Sequence, residues 1–164
     1  MRKEICKLLR SLFSDSISAE LPYFDVLKGE VVPSGCVLFG WKMSEATKAF
    51  ILLQPHRYED AFFVEVAVSS DEKWPAYTIP VLPGSIGQFP PIRVRLSRFW
   101  KQTGLDIGWG LEPELETERL KFDREPLALS YALLRLPEAV EKSVEALKKW
   151  GIPFFDQFRN MRQP

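Results

Sequence analysis

The only histidine of the chain, His56, lies in a short polar stretch, Gln54–Asp60, beside an arginine and two acidic residues. An imidazole has an unperturbed pKa of about 6.5, so it can exchange protons near neutral pH when a carboxylate orients it. A hydrolytic or small-molecule site in this chain would therefore be centred on His56 and Arg57, with Glu59 or Asp60 as the carboxylate. The same residue types are also usual in a polar hairpin turn.

Basic and aromatic side chains are concentrated at a second place, in and beside Ile92–Lys101. Arginine, tryptophan and tyrosine are the residue types that most often anchor protein interfaces. Basic residues beside stacking rings also suit single-stranded nucleic acid. However, the net charge is zero, from 22 basic and 22 acidic residues, and this argues against a polyanionic partner. The candidate binding residues are Arg93, Arg95, Arg98, Trp100, Trp74 and Tyr77.

Other kinds of site lack the residues they need. One histidine and two separated cysteines, Cys6 and Cys36, do not make a metal-binding motif. The sequence has no glycine-rich phosphate-binding motif and no serine in a nucleophile-elbow context. We therefore expect no metal and no cofactor. Because two cysteines are too few for a disulfide framework, we expect free thiols in a reducing compartment.

From this sequence we expect no signal peptide and no membrane-spanning segment. The N-terminal sequence MRKEICKLLRSLF lacks the uninterrupted apolar core of a signal peptide. No apolar run approaches the roughly 20 residues that a membrane span needs. We expect a cytoplasmic protein without a membrane partner.

The candidate residues must be positioned mainly by strands. Two apolar runs, Cys36–Trp41 and Lys48–Gln54, predict strands, and the second is apolar on both faces, as in a central strand. From Phe62 to Ser69 apolar residues alternate in the pattern of a half-buried strand. A fourth strand is predicted over 92–98, with a basic face that points to water or pairs with an acid such as Glu65. A short edge strand is predicted at 31–32.

Helices are predicted at both ends of the chain. Apolar residues from Ile5 to Phe13 recur every three or four positions, and Ser14–Ser16 is expected to end this helix. A helical tail over 126–150 is expected to bury Leu127, Tyr131 and Leu134, with a new helix beginning near Pro137.

Gly151 and Pro153 are expected to end the helical tail.

Residues 74–91 hold five of the 13 prolines and are expected to form a long surface excursion. Strands in the middle and helices at the ends predict one α+β domain over 1–164. Its antiparallel sheet should have four to five strands, with the N- and C-terminal helices packed on one face.

Three segments resemble a family of small bacterial α+β proteins classed as a domain of unknown function. They are LLQPHRYEDAFFVEVAV at Leu52–Val68, IRVRLSRFW at Ile92–Trp100 with DIGWGL at Asp106–Leu111, and GIPFF at Gly151–Phe155. The resemblance implies an α+β domain with no assigned activity, and partners of the kind that toxin-neutralising proteins bind.

The first functional hypothesis is a non-catalytic binding module that recognises a protein through the basic strand face and the proline-rich excursion. The second is a small-molecule-binding or hydrolytic enzyme centred on His56 and Arg57. A pocket that holds His56 with a carboxylate would favour the second, and an exposed aromatic patch the first. The sequence specifies neither the ligand or partner nor the oligomeric state.

Overall fold

A computed structural model describes residues 1–30, 32–71, 73–75, 91–99, 108–111 and 128–159. The chain begins with helix α1 (Lys3–Glu20) and continues through strands β1 (Asp25–Val26), β2 (Val37–Ser44), β3 (Thr47–Pro55) and β4 (Ala61–Ser69). Strand β5 (Ile92–Arg95) leads into a 3₁₀ helix (Leu96–Phe99), and β6 is Trp109–Gly110. The last described part is helix α2 (Leu129–Ala146), a π-helical turn (Leu147–Gly151) and helix α3 (Ile152–Arg159).

The strands of the described residues form one antiparallel sheet in the order β1-β2-β3-β4-β5, with β6 paired to the start of β4. Hairpins connect β2 to β3 and β3 to β4, as three consecutive strands with short loops require. The register places Gln54 opposite Phe63 and Glu65 opposite Arg95. This α+β architecture confirms the predicted fold class, and the two-residue strands β1 and β6 are additions to it.

The two faces of the sheet are covered differently. One face carries Ile51, Val66 and Val94 and packs against α1, α2 and α3 in the main core, so the helices of both ends share this face as predicted. The other face carries a smaller apolar cluster of Leu38, Phe50, Leu52 and Ala67, with Leu27, Val32, Cys36 and Trp74 packed against it. Because both faces are covered, β4 is buried at every position. The prediction that β4 is only half-buried was therefore wrong.

Several predicted element boundaries are corrected by the structure. Helix α1 does not end at Ser14–Ser16, because buried Ile17 continues its apolar stripe for another turn. Strand β5 stops at Arg95 rather than at residue 98, where the chain turns into the 3₁₀ helix. Val32 is not in a strand, and Val31 lies outside the described residues.

The C-terminal helices also differ from the prediction. Helix α2 runs through Pro137, whose ring lies on the exposed side, while Leu136 and Val140 bury the opposite side in the core. Tyr131 and Leu134 are 39% and 76% exposed, so the predicted stripe faces solvent, and Leu127 lies outside the described residues.

Gly151 does not stop the helical tail. A Cβ atom there would lie 3.1 Å from a Leu147 methyl group and 3.5 Å from one of Val66. The glycine therefore allows the π-helical turn to approach β4 closely, and the chain continues as α3 with Pro153 in its first turn, where a missing N–H is tolerated. In the described parts of the chain, no helix has the length and apolar character to cross a membrane.

Candidate functional site

A cleft of about 890 Å³ lies at one end of the sheet, where the hairpin between β3 and β4 meets the turn before β2. Its described wall contains basic, aromatic and small polar side chains from five separate parts of the chain. These residues are Met1, Cys6, Pro33, Ser34, Gly35, Cys36, Gln54, Pro55, His56, Arg57, Tyr58, Phe63 and Arg95.

The turn Pro33–Cys36 forms one wall of the cleft. The N–H of Cys36 donates to the carbonyl of Pro33 at 3.1 Å, and Gly35 has a φ of +86°. A type II turn requires a positive φ at this position, and glycine meets that requirement without steric cost. The sequence Pro-Ser-Gly thus fixes the backbone that brings Cys36 beside the sheet.

The hairpin turn that carries His56 is held at both of its ends. The N–H of His56 donates to the carbonyl of Ala61 at 2.8 Å. Asp60 is buried, and its carboxylate accepts hydrogen bonds from the backbone and guanidinium of Arg2, the shortest at 2.5 Å from Nη2. The α-amino group of Met1 donates to the carbonyl of His56 at 2.6 Å. Contacts with the start of the chain therefore fix the position of this turn.

The imidazole of His56 has a defined orientation. Its Nδ1 accepts a hydrogen bond from the backbone N–H of Glu59 at 3.1 Å, and its ring packs edge-on against Phe63 with centroids 5.7 Å apart. Burial lowers the pKa of His56, and the positive charges of the α-amino group and Arg95 lower it further. A neutral imidazole whose Nδ1 accepts a hydrogen bond carries its proton on Nε2. His56 is thus a hydrogen-bond donor through Nε2.

The structure brings Glu59 close to His56, with Oε2 at 3.8 Å from Nδ1. In a catalytic pair the carboxylate accepts the Nδ1–H of the histidine, which leaves Nε2 free to take a proton. Here Nδ1 accepts from the Glu59 amide instead. The carboxylate is near, as the second hypothesis requires, but the arrangement is not that of a general base.

Glu65 lies on the face of the sheet that carries the smaller apolar cluster, where it forms ion pairs with two arginines of the neighbouring strand β5. Its side chain is 3% exposed and accepts from Nε of Arg93 at 2.5 Å and from Nε of Arg95 at 3.3 Å. Each guanidinium also lies over a ring, Arg93 over Trp74 at 4.6 Å and Arg95 over Phe63 at 4.2 Å. The basic face of β5 therefore pairs with Glu65, one of the two arrangements predicted. Arg95 lines the cleft, and Arg93 is not among its lining residues.

The two cysteines line the same cleft as free thiols. Burial raises the pKa of Cys36 to about 11, and the negative charge of Glu65 adds to this effect. A thiol with such a pKa stays protonated at neutral pH, and the protonated form is a poor nucleophile. Cys36 therefore contributes a small, weakly polar wall to the cleft.

The cleft combines residues from the two predicted sites. Arg95, from the protein-binding set, lines the same cleft as His56 and Arg57, from the small-molecule set. Arg98 lies in the 3₁₀ helix, and Tyr77 and Trp100 lie outside the described residues. Sequence reasoning missed Phe63 and Gln54, although strand alternation places Phe63 on the same face as Glu65. In the described ranges, no group of three or more metal-ligating side chains occurs.

Comparison with protein-family models, with curated proteins and with solved structures finds no match to this chain. The resemblance to a domain of unknown function therefore remains a prediction. Recognition of a protein partner and neutralisation of a toxin also remain predictions. Functional conclusions must come from the geometry of the cleft.

Proposed function

We propose that the protein binds a small organic molecule in the cleft and does not convert it chemically. The observation that carries this proposal is the convergence of His56, Phe63 and Arg95, from three separate elements, on one cleft of about 890 Å³. Small-molecule sites are typically concave, with volumes of about 300–1,000 Å³, apolar walls and a few placed polar groups. The volume of the cleft lies in this range, and its wall combines apolar side chains such as Phe63 with the polar groups of His56 and Arg95.

Two features favour binding over hydrolysis. The Nδ1 atom of His56 accepts a hydrogen bond from the backbone N–H of Glu59. The neutral ring therefore offers a hydrogen-bond donor rather than a base at Nε2. The nearby Cys36 thiol has a pKa raised to about 11, so it is protonated at neutral pH. A protonated thiol and an imidazole donor suit recognition of a ligand better than attack on it.

The rigidity of the walls supports the same proposal. The turn that carries His56 is tied to the start of the chain through Asp60 and Arg2. The Arg95 guanidinium is held between Glu65 and the Phe63 ring. Side chains that are already fixed lose little conformational entropy when a ligand binds. The polar groups of the cleft are therefore prepared for binding.

The test is a fragment screen read through the single imidazole of the chain. Untagged protein is mixed with neutral, acidic and basic fragments, and the NMR signals of His56 are followed. Ser34→Trp places a large uncharged side chain at a lining residue and should obstruct the cleft, while Ser18→Trp adds the same side chain at an exposed α1 position outside the lining. We expect shifts in wild type and Ser18→Trp that are lost in Ser34→Trp. Failure of every fragment to shift His56, or equal shifts in Ser34→Trp, would overturn the proposal.

A further inference from the structure

We infer that the ligand of the cleft is an organic oxyanion, a carboxylate or phosphate attached to an apolar ring or chain. This inference rests on the proposed function and adds to it the chemical class of the ligand. It is carried by the charge of the lining, the fixed position of Arg95, the donor on His56 and the aromatic wall.

The lining is basic. Among its described residues, Arg57 and Arg95 carry guanidinium groups, and none carries a carboxylate side chain. The positive charge of Arg95 also acts on His56, where it helps to lower the pKa of the imidazole. Glu65 lies outside this lining and offsets part of the charge of Arg95, but the described cleft wall presents cationic and no anionic side chains, and such a wall attracts an anion.

Arg95 presents its charge in a fixed plane. Nε donates to Glu65, which sits directly opposite on β4, and the guanidinium lies 4.2 Å from the Phe63 ring centre. A guanidinium carries five N–H donors, and its charge and planar form suit a carboxylate or phosphate oxygen. Because β4 holds the group from two sides, little entropy is lost when an oxyanion binds.

His56 and the rings complete the site for such a molecule. The backbone N–H of Glu59 donates to Nδ1, so the neutral imidazole offers its Nε2–H as a hydrogen-bond donor. Phe63 and Tyr58 each lie edge-on to the imidazole, with ring centres 5.7 and 6.3 Å away. An oxyanion that reaches Arg95 and His56 can pack its apolar part on the exposed ring of Tyr58, since Phe63 is 6% exposed and its ring lies under the Arg95 guanidinium.

The first arm of the test compares four probes that share a benzene ring. Benzoate, benzamide and benzylamine share a ring and differ in charge, and phenyl phosphate separates phosphate from carboxylate. We expect benzoate or phenyl phosphate to bind at least about tenfold more tightly than benzamide, the effect of one charge-assisted hydrogen bond. Benzylamine should bind most weakly.

The second arm uses two variants of neighbouring arginines that both pair with Glu65, only one of which lines the cleft. Arg95→Met and Arg93→Met each remove one guanidinium from Glu65 and one ring contact, but only Arg95 lines the cleft. We expect Arg95→Met to abolish the preference for the anion and Arg93→Met to keep it. Arg57→Met, at an exposed lining residue, serves if Arg95→Met does not fold.

The outcomes separate this inference from the proposed function. Equal or tighter binding of benzamide or benzylamine in the cleft would overturn the oxyanion assignment and leave the small-molecule site intact. Equal loss of the anion preference in Arg93→Met and Arg95→Met would also overturn it. If no fragment of any charge shifts His56, the proposed function itself fails.

Discussion

The change Glu65→Gln tests how the basic face of β5 is held to the sheet. The Glu65 side chain is 3% exposed, and those of Arg93 and Arg95 are 14% and 23% exposed. Removing one partner of a buried ion pair costs about 3–5 kcal/mol because a charge is left uncompensated. Glutamine keeps one acceptor oxygen, and both guanidiniums retain some contact with water. We therefore expect the lower end of this range, about 3 kcal/mol.

For a domain of this size, each kcal/mol changes the melting temperature by about 2–4 °C, so the expected fall is roughly 10 °C. Thermal and urea unfolding measure it. Glu45→Gln is the matched control, because Glu45 pairs with Lys42 at 3.0 Å but is 97% exposed. Its melting temperature should equal that of wild type. If the melting temperature of Glu65→Gln also equals that of wild type, the claim that Glu65 stabilises the basic face of β5 is wrong.

Three further predictions concern the core, the imidazole and the thiols. Val66→Asp should lower the free energy of unfolding by several kcal/mol, because it buries an unpaired carboxylate in the main core; a soluble variant with the wild-type melting temperature would contradict this placement. The pKa of His56 is lowered from 6.5 by burial, so the unfolded chain binds its proton more readily and stability should be lost as pH falls below about 6.5. The stability difference between wild type and His56→Asn should therefore shrink at low pH, and a constant difference would refute the shift. With a pKa of about 11 against the ordinary 9.0, Cys36 has a thiolate fraction about 100-fold smaller at neutral pH; the greater nucleophilicity of a more basic thiolate offsets about tenfold of this, so alkylation should be about tenfold slower than that of an ordinary thiol. Denaturant should remove this protection, and titration of denatured, non-reduced protein should find both Cys6 and Cys36 free rather than one disulfide.

The strands of the central sheet could be predicted because their sequence repeats the geometry of a strand. Phe62, Val64, Val66 and Val68 alternate along β4 and all face the main core. The same alternation cannot tell a half-buried strand from one whose second face is also covered. That distinction depends on Leu38 and other residues distant in sequence, which cover the second face.

The predicted helix boundaries are wrong where tertiary packing outweighs a local sequence preference. Pro137 predicts a helix start, but buried residues on the opposite side of α2 hold the helix together across it. Gly151 predicts a stop, but here glycine is needed so that the turn can approach Val66. Local propensity is a weak guide where burial of an apolar face stabilises the alternative.

The candidate site could be predicted only in pieces. As a histidine, His56 indicates proton transfer, and as an arginine, Arg95 indicates binding of a partner. The sequence therefore places them in two different candidate sites. What joins them is the register of β4 and β5, which places Arg95 opposite Glu65 and beside Phe63. Strand register is set by pairing across distant parts of the chain, so no local pattern could indicate it.

The most direct test of the ligand site is the pKa of His56, measured by NMR with and without saturating benzoate. Because the chain has one histidine, the imidazole signal of untagged protein is unambiguous. Without ligand we expect a pKa below 6.5, since burial and the positive charge of Arg95 oppose protonation. A carboxylate bound between Arg95 and His56 would compensate that charge, so benzoate should raise the pKa. An unchanged or lower pKa while benzoate is bound would contradict the account of the cleft as an oxyanion site.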